Sequence, residues 1–134
     1  NLAQQRDSLS VVADQFGAPT PARLIANVTA LALQQALSNG DHKSGLYHLA
    51  AAGVTSWYQF AGAIFTLAKQ AKLPLQLQHD QLKPISTAEY PTPAQRPANS
   101  RLDLSKIEQV FDFTMPHWQA ELEQTFEELR SFQI

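Results

Sequence analysis

Four of the eight prolines in this 134-residue chain fall between Pro84 and Pro97. Proline fixes φ and has no N–H to donate, so neither a helix nor a sheet interior runs through that stretch. It reads as an ordered or extended loop. On both sides of it the apolar residues recur at helical spacing. Thr20-Pro21 predicts a helix start, a hydroxyl cap followed by a proline at the first helical position. That helix carries Leu24, Ile25, Val28, Leu31, Ala32 and Gln35 and stops at Asn39-Gly40. Thr55-Ser56 predicts a second cap, followed by a core stripe of Trp57, Phe60, Ala61, Ile64, Phe65 and Ala68. Lys69 and Lys72 suit the negative end of this helix, with Pro74 just beyond. Asp103 or Ser105 caps a short helix through Val110-Phe111, and Met115-Pro116 opens the last one, with Trp118, Leu122, Phe126 and Leu129 on one face.

Strand signals are fewer. Leu9-Ser10-Val11-Val12-Ala13 is a β-type run too apolar for a free edge, although the chain offers it few partners. Gly45 to Ala50 reads as a short buried strand, and Leu75-Gln76-Leu77-Gln78 alternates with period two. The expected class is α/β, mostly helices with a few short strands, as in the last third of an α/β protein. Leu2 to Arg6 reads as the final turn of a helix begun upstream, so the chain is expected to be the C-terminal portion of a longer polypeptide. Residues 1–134 then form one lobe, with a Pro-rich ligand loop at 84–101.

The chain has no cysteine, which removes disulfide scaffolds, thiolate metal sites and thiol nucleophiles. Its apolar stretches are broken too often for a membrane span, and no leader is visible at the start, so a cytoplasmic setting is expected. Net charge is −2. Residues 1–82 carry five basic and four acidic side chains, residues 83–106 four and two, and residues 107–134 one and six. No basic face for DNA or RNA emerges, although arginines in a Pro-rich loop suit a small anion such as one nucleotide. The acidic end reads as the solvated face of a terminal helix.

Catalytic motifs are missing. His42, His48, His79 and His117 have no metal-ligand spacing, and His48 reads as a core or interface histidine. There is no nucleophile elbow, phosphate loop or glycine-rich dinucleotide turn. Four residues after Tyr47, Tyr58 and Tyr90 stand Ala51, Gly62 and Ala94, so no Tyr–Lys dyad exists to lower a phenol's pKa.

Two segments are too particular for packing alone. In Asp14-Gln15-Phe16-Gly17-Ala18-Pro19-Thr20 a turn explains the glycine, the proline and the capping threonine, but not Asp-Gln ahead of them. A carboxylate, an amide and a helix start at one strand end is where α/β proteins bind ligands. In Tyr90-Pro91-Thr92-Pro93-Ala94-Gln95-Arg96-Pro97-Ala98-Asn99-Ser100-Arg101-Leu102-Asp103 the alternative is a solvated linker. Prolines flanking Arg96, however, hold a five-donor fork at low entropic cost, which suits a diphosphate.

These two segments, with Gly45-Leu46-Tyr47-His48-Leu49-Ala50 and Pro116-His117-Trp118 in the same order, resemble the C-terminal half of the dTDP-4-dehydrorhamnose reductase family. These are extended short-chain dehydrogenases, and the likeness covers nearly the whole chain. It implies reduction of dTDP-4-dehydro-L-rhamnose to dTDP-L-rhamnose with NADPH or NADH, for cell-surface polysaccharide. It also implies that the dinucleotide turn and the Thr/Tyr/Lys catalytic group lie upstream of residue 1, leaving this chain inactive alone and without catalytic or cofactor-binding residues. Asp14, Gln15 and Thr20 would close over the sugar–cofactor cleft, and Arg96, Asn99 and Ser100 would face the nucleotide diphosphate. The family's reported use of Mg2+ at a dimer interface points to Glu127 and Glu128, against which stands Arg23 on the first helix. A homo-oligomer is expected, with Val11, Val12 and Tyr47 exposed where the upstream lobe would sit. Two other readings remain: a non-catalytic regulatory subunit resembling that of methionine adenosyltransferase, and a self-sufficient helical interaction module. The module would require Leu9–Ala13 to find a strand partner within this chain.

Overall fold

In the computed structural model, residues 2–38 and 43–131 are described. The elements in chain order are β1 (Leu9–Val12), β2 (Phe16–Gly17), α1 (Ala22–Ser38), β3 (Thr55–Ser56), α2 (Trp57–Gln70), β4 (Leu82–Ile85), α3 (Ser105–Phe111) and α4 (Trp118–Ser131). Single 3-10 turns form at Leu2–Gln4, His79–Gln81 and Thr87–Glu89. The architecture is mostly helical with small sheets, as expected. The chain divides into two compact units, Asn1–Gly17 with Val54–Ser100 and Ala18–Gly53 with Arg101–Ile134.

The first unit is built around α2. Ser56 caps this helix: its side chain accepts the Gln59 N–H at 3.2 Å, and Gln59 Oε1 accepts the Ser56 N–H at 3.1 Å. Two orphan donors are thereby satisfied reciprocally. The helix ends where Lys72 turns left-handed (φ 55°) and the N–H groups of Lys72 and Leu73 bond back to the Lys69 and Ala68 carbonyls. Its Phe65 joins Leu77 and Leu82 in a core against which Leu9, Val11, Tyr58, Ala61 and Leu75 pack. The expected stripe is only partly buried, because Trp57 and Ile64 are exposed.

β1 does find a partner within the chain. It pairs in parallel with β4, Leu9 opposite Leu82 and Val12 opposite Ile85, so the strand partner required by the interaction-module reading is present. Pro84 therefore stands in a strand rather than in the expected loop. A strand with one neighbour has a free edge, where a residue lacking an N–H is tolerated. Pairing and core packing also bury Val12 and half-bury Val11, which corrects their expected exposure. Leu75–Gln78 forms no ladder, yet its burial alternates as the sequence predicts: Leu77 is buried and both glutamines are exposed. The Gln76 and Leu77 N–H groups bond the Ala3 carbonyl instead.

The second unit holds α1, α3 and α4, with Leu24, Val28, Ala51, Ile107, Phe111, Met115 and Trp118 buried. Helix α1 starts at Ala22, not at Pro21: the Pro21 carbonyl already accepts from Leu24 and Ile25. Thr20 does not cap it, since its hydroxyl donates to the Ala18 carbonyl (2.9 Å) and accepts from the Ala51 N–H (3.0 Å). The expected stop at Asn39-Gly40 lies outside the described residues. Gly45–Ala50 is irregular rather than a strand, with Leu46 and His48 exposed, so His48 is not a core residue. Tyr47 is half-buried, edge-on to Phe111 at 5.1 Å between ring centroids, and this too departs from the expected exposure. The chain returns to form a bridge in which the Ala52 N–H bonds the Pro116 carbonyl and the Trp118 N–H the Ala52 carbonyl. Gly53 sits beside it at φ 86°, where a Cβ would overlap the His117 ring.

Candidate functional site: a cavity at the proline-rich loop

Five of the six residues that the sequence singled out lie in the first unit, where β1, β2, the start of α2 and the proline-rich loop meet. Asp14 follows β1 and reaches the 3-10 turn at Thr87–Glu89. Its carboxylate accepts the Thr87 N–H at 2.9 and 3.0 Å and the Thr87 hydroxyl at 2.6 Å. Gln15 Nε2 donates to the same hydroxyl oxygen at 3.1 Å. Within the turn, the Ser86 N–H and hydroxyl both donate to Glu89 Oε2 at 2.7 Å. These bonds favour the ionised acids, so Thr87 holds the Asp14 carboxyl below its ordinary range and Ser86 does the same to Glu89. The network fixes the backbone just before Tyr90.

The far end of the loop is pinned by β2. The Phe16 N–H bonds the Ala98 carbonyl (2.8 Å), and the Ser100 N–H and hydroxyl bond the Phe16 carbonyl at 2.9 and 3.1 Å. Asn99 bridges to Phe16 in parallel fashion. Gly17 allows this close approach, since a Cβ there would come within 2.6 Å of Ser100 Oγ. The prolines between these two anchors restrict the remaining backbone.

A cavity of about 540 Å³ opens between the anchored loop, β1 and the start of α2. Gln15 and Arg96 line it, as do Ser10, Val11 and Val12 of β1. Trp57, Tyr90 and Thr92 complete the wall. Arg96 is exposed and makes no ion pair among the described residues, so its fork is available to an anion. Asp14, Asn99 and Ser100 do not line the cavity; their bonds position the loop that does. Thr20 belongs to the second unit, where it is held by the bonds already described. Sequence reasoning counted Trp57 as core and did not single out Ser10, while Tyr90 and Thr92 fall in the loop it chose without a role of their own. The signal for Trp57 was its place at the first position after a cap, ahead of the helix's buried turns.

On the acidic helix the carboxylates face arginines. Arg23 donates to Glu121 Oε2 at 2.9 Å and places Nε 3.0 Å from Glu128 Oε1, without hydrogen-bond alignment to that oxygen. Glu127 faces Arg130 at 3.1 Å. The guanidinium thus lies against two carboxylates, and no group of three possible ligands forms among the described residues. Nor do the described residues form a dinucleotide-binding fold, their sheets having two strands each. No described helix is long and apolar enough to cross a membrane.

An anchored, arginine-bearing loop borders a cavity at the end of β1, and comparison with known proteins gives the family. Residues 1–131 match the RmlD substrate binding domain, and the chain belongs to that family. It is 46% identical over 128 residues to dTDP-4-dehydrorhamnose reductase of Escherichia coli, an alignment covering 96% of this chain and 42% of the relative. Among solved structures, the Clostridium acetobutylicum dTDP-4-dehydrorhamnose reductase ortholog superposes with a TM-score of 0.77 at 28% identity, over 96% of this chain and 41% of that one. The Bacillus anthracis enzyme, solved in complex with NADP, gives 0.70 at 30% identity over 94% and 40%. The chain thus spans about two-fifths of the length of these relatives.

Proposed function

We propose that this chain is the substrate-binding part of a dTDP-4-dehydrorhamnose reductase, which reduces dTDP-4-dehydro-L-rhamnose to dTDP-L-rhamnose in the cytoplasm. Hydride comes from NADPH or NADH held by an upstream lobe, together with the catalytic proton donor. The residues present here bind and orient. Arg96 takes the diphosphate, Gln15 borders the cleft at the strand end, and Asp14, Asn99 and Ser100 hold the loop in place. The observation that carries this reading is the unpaired Arg96 fork on a pinned loop, lining a cavity of nucleotide-sugar scale in a chain of this family.

Arg96→Ala in the full-length protein tests it. Losing one charge-assisted contact is worth about 1.5–3 kcal/mol, so KM for the dTDP-sugar rises roughly 10- to 100-fold. An unchanged KM refutes the role. The chain by itself consumes no NADPH with the same substrate, and measurable turnover would place the catalytic group within it.

A further inference from the structure

Glu121 is a carboxylate in the second unit's core: it is only 6% exposed and lies on α4 three residues after the buried Trp118. Burying such a group is costly unless a cation comes with it. The cation is Arg23, in the first turn of α1, whose Nη2 donates to Glu121 Oε2 at 2.9 Å. Glu128 stands seven residues after Glu121, two turns on along the same face of α4. The guanidinium reaches both acids, with its buried Nε 3.0 Å from Glu128 Oε1 and without a hydrogen bond of its own. That oxygen also accepts from Gln124 Nε2 at 3.0 Å. A planar fork serves two acceptors in different directions, which a lysine ammonium at the end of one stem does less well.

The family likeness pointed to a magnesium ion at Glu127 and Glu128, and the described donors around them do not fit one. Magnesium takes oxygen ligands at about 2.1 Å in an octahedron and keeps several waters. Here Glu121 Oε2 and Glu128 Oε1 each have a guanidinium nitrogen within 3.0 Å, and Glu127 faces Arg130. A dication brought to the first two oxygens would meet a like charge at contact range. We propose that Arg23 is the built-in counter-ion of this corner. It ties α1 to α4 and makes the stability and association of the full-length protein independent of divalent metal. An acid in its place would turn the same corner into a cation site.

The test compares the full-length protein in EDTA and in magnesium chloride at matched ionic strength. The wild type keeps the same melting temperature and the same sedimenting mass in both. Arg23→Ala leaves Glu121 buried without its cation and lowers the melting temperature by several degrees in EDTA. Arg23→Lys keeps the charge but not the fork and falls by less, which preserves the comparison where the alanine variant does not fold. Arg23→Glu is the least stable in EDTA. It regains part of the loss in magnesium chloride but not in sodium chloride, because an ion bound only by the folded state stabilises it. The inference is overturned if chelation lowers the wild-type mass or melting temperature and magnesium restores it. It is equally overturned if neither Arg23→Ala nor Arg23→Lys lowers the melting temperature, or if magnesium does nothing for Arg23→Glu.

Discussion

Asp14 shows how a residue selected for its chemistry can serve through a neighbour. Its carboxylate is spent on Thr87, and Glu89 is spent on Ser86, so both are stabilised in the ionised form. Their folded-state pKa values lie below the ordinary 3.8 and 4.5, so the stabilisation is complete above those values. It disappears as the pH falls through the depressed folded-state values. Carboxyl NMR titration should find both groups ionising below their usual range, and Thr87→Val should move Asp14 only part of the way back, because the residue 87 N–H still donates to it; an unshifted Asp14 in the parent protein would refute the clamp. Gln15 and Arg96 were legible in the sequence because a turn or a linker does not account for them. Trp57 was not, because helical periodicity assigns a face but does not say where along the helix the core stops.

At the scale of elements, local signals read well and pairing did not. The Ser56 cap was visible because a capping box needs only residues three apart. Ser56→Ala should cost about 1 kcal/mol in urea unfolding and loosen the helix turn that carries Trp57. A stability change near zero would show that β3 pairing, not the cap, fixes the helix start. The Thr20-Pro21 signal gave the right helix, but its threonine was taken by the Ala51 N–H. Gly45–Ala50 had the composition of a strand and no ladder to join. For β1 the partner could not be read from composition, because a parallel pair is separated in sequence by its crossover. Pro84 hid that partner further.

Over the whole chain, the apolar surface left uncovered is not the one first expected. Val11, Val12 and Tyr47 are packed, whereas Ile25, Leu31, Leu33 and Leu37 of α1 are exposed. Such residues favour association. The isolated chain should therefore self-associate and bind an apolar dye, and charged substitutions at Leu33 and Leu37 should reduce both. A monomer in sedimentation that binds no dye would contradict this. The sequence by itself determined the family likeness, the capped start of α2 and the unusual loop chemistry, since these depend on residue identity and short spacing. Only the tertiary structure decided which acid is a clamp, which arginine lines the cavity and which tryptophan faces it. Those outcomes depend on which distant segments come to lie against one another.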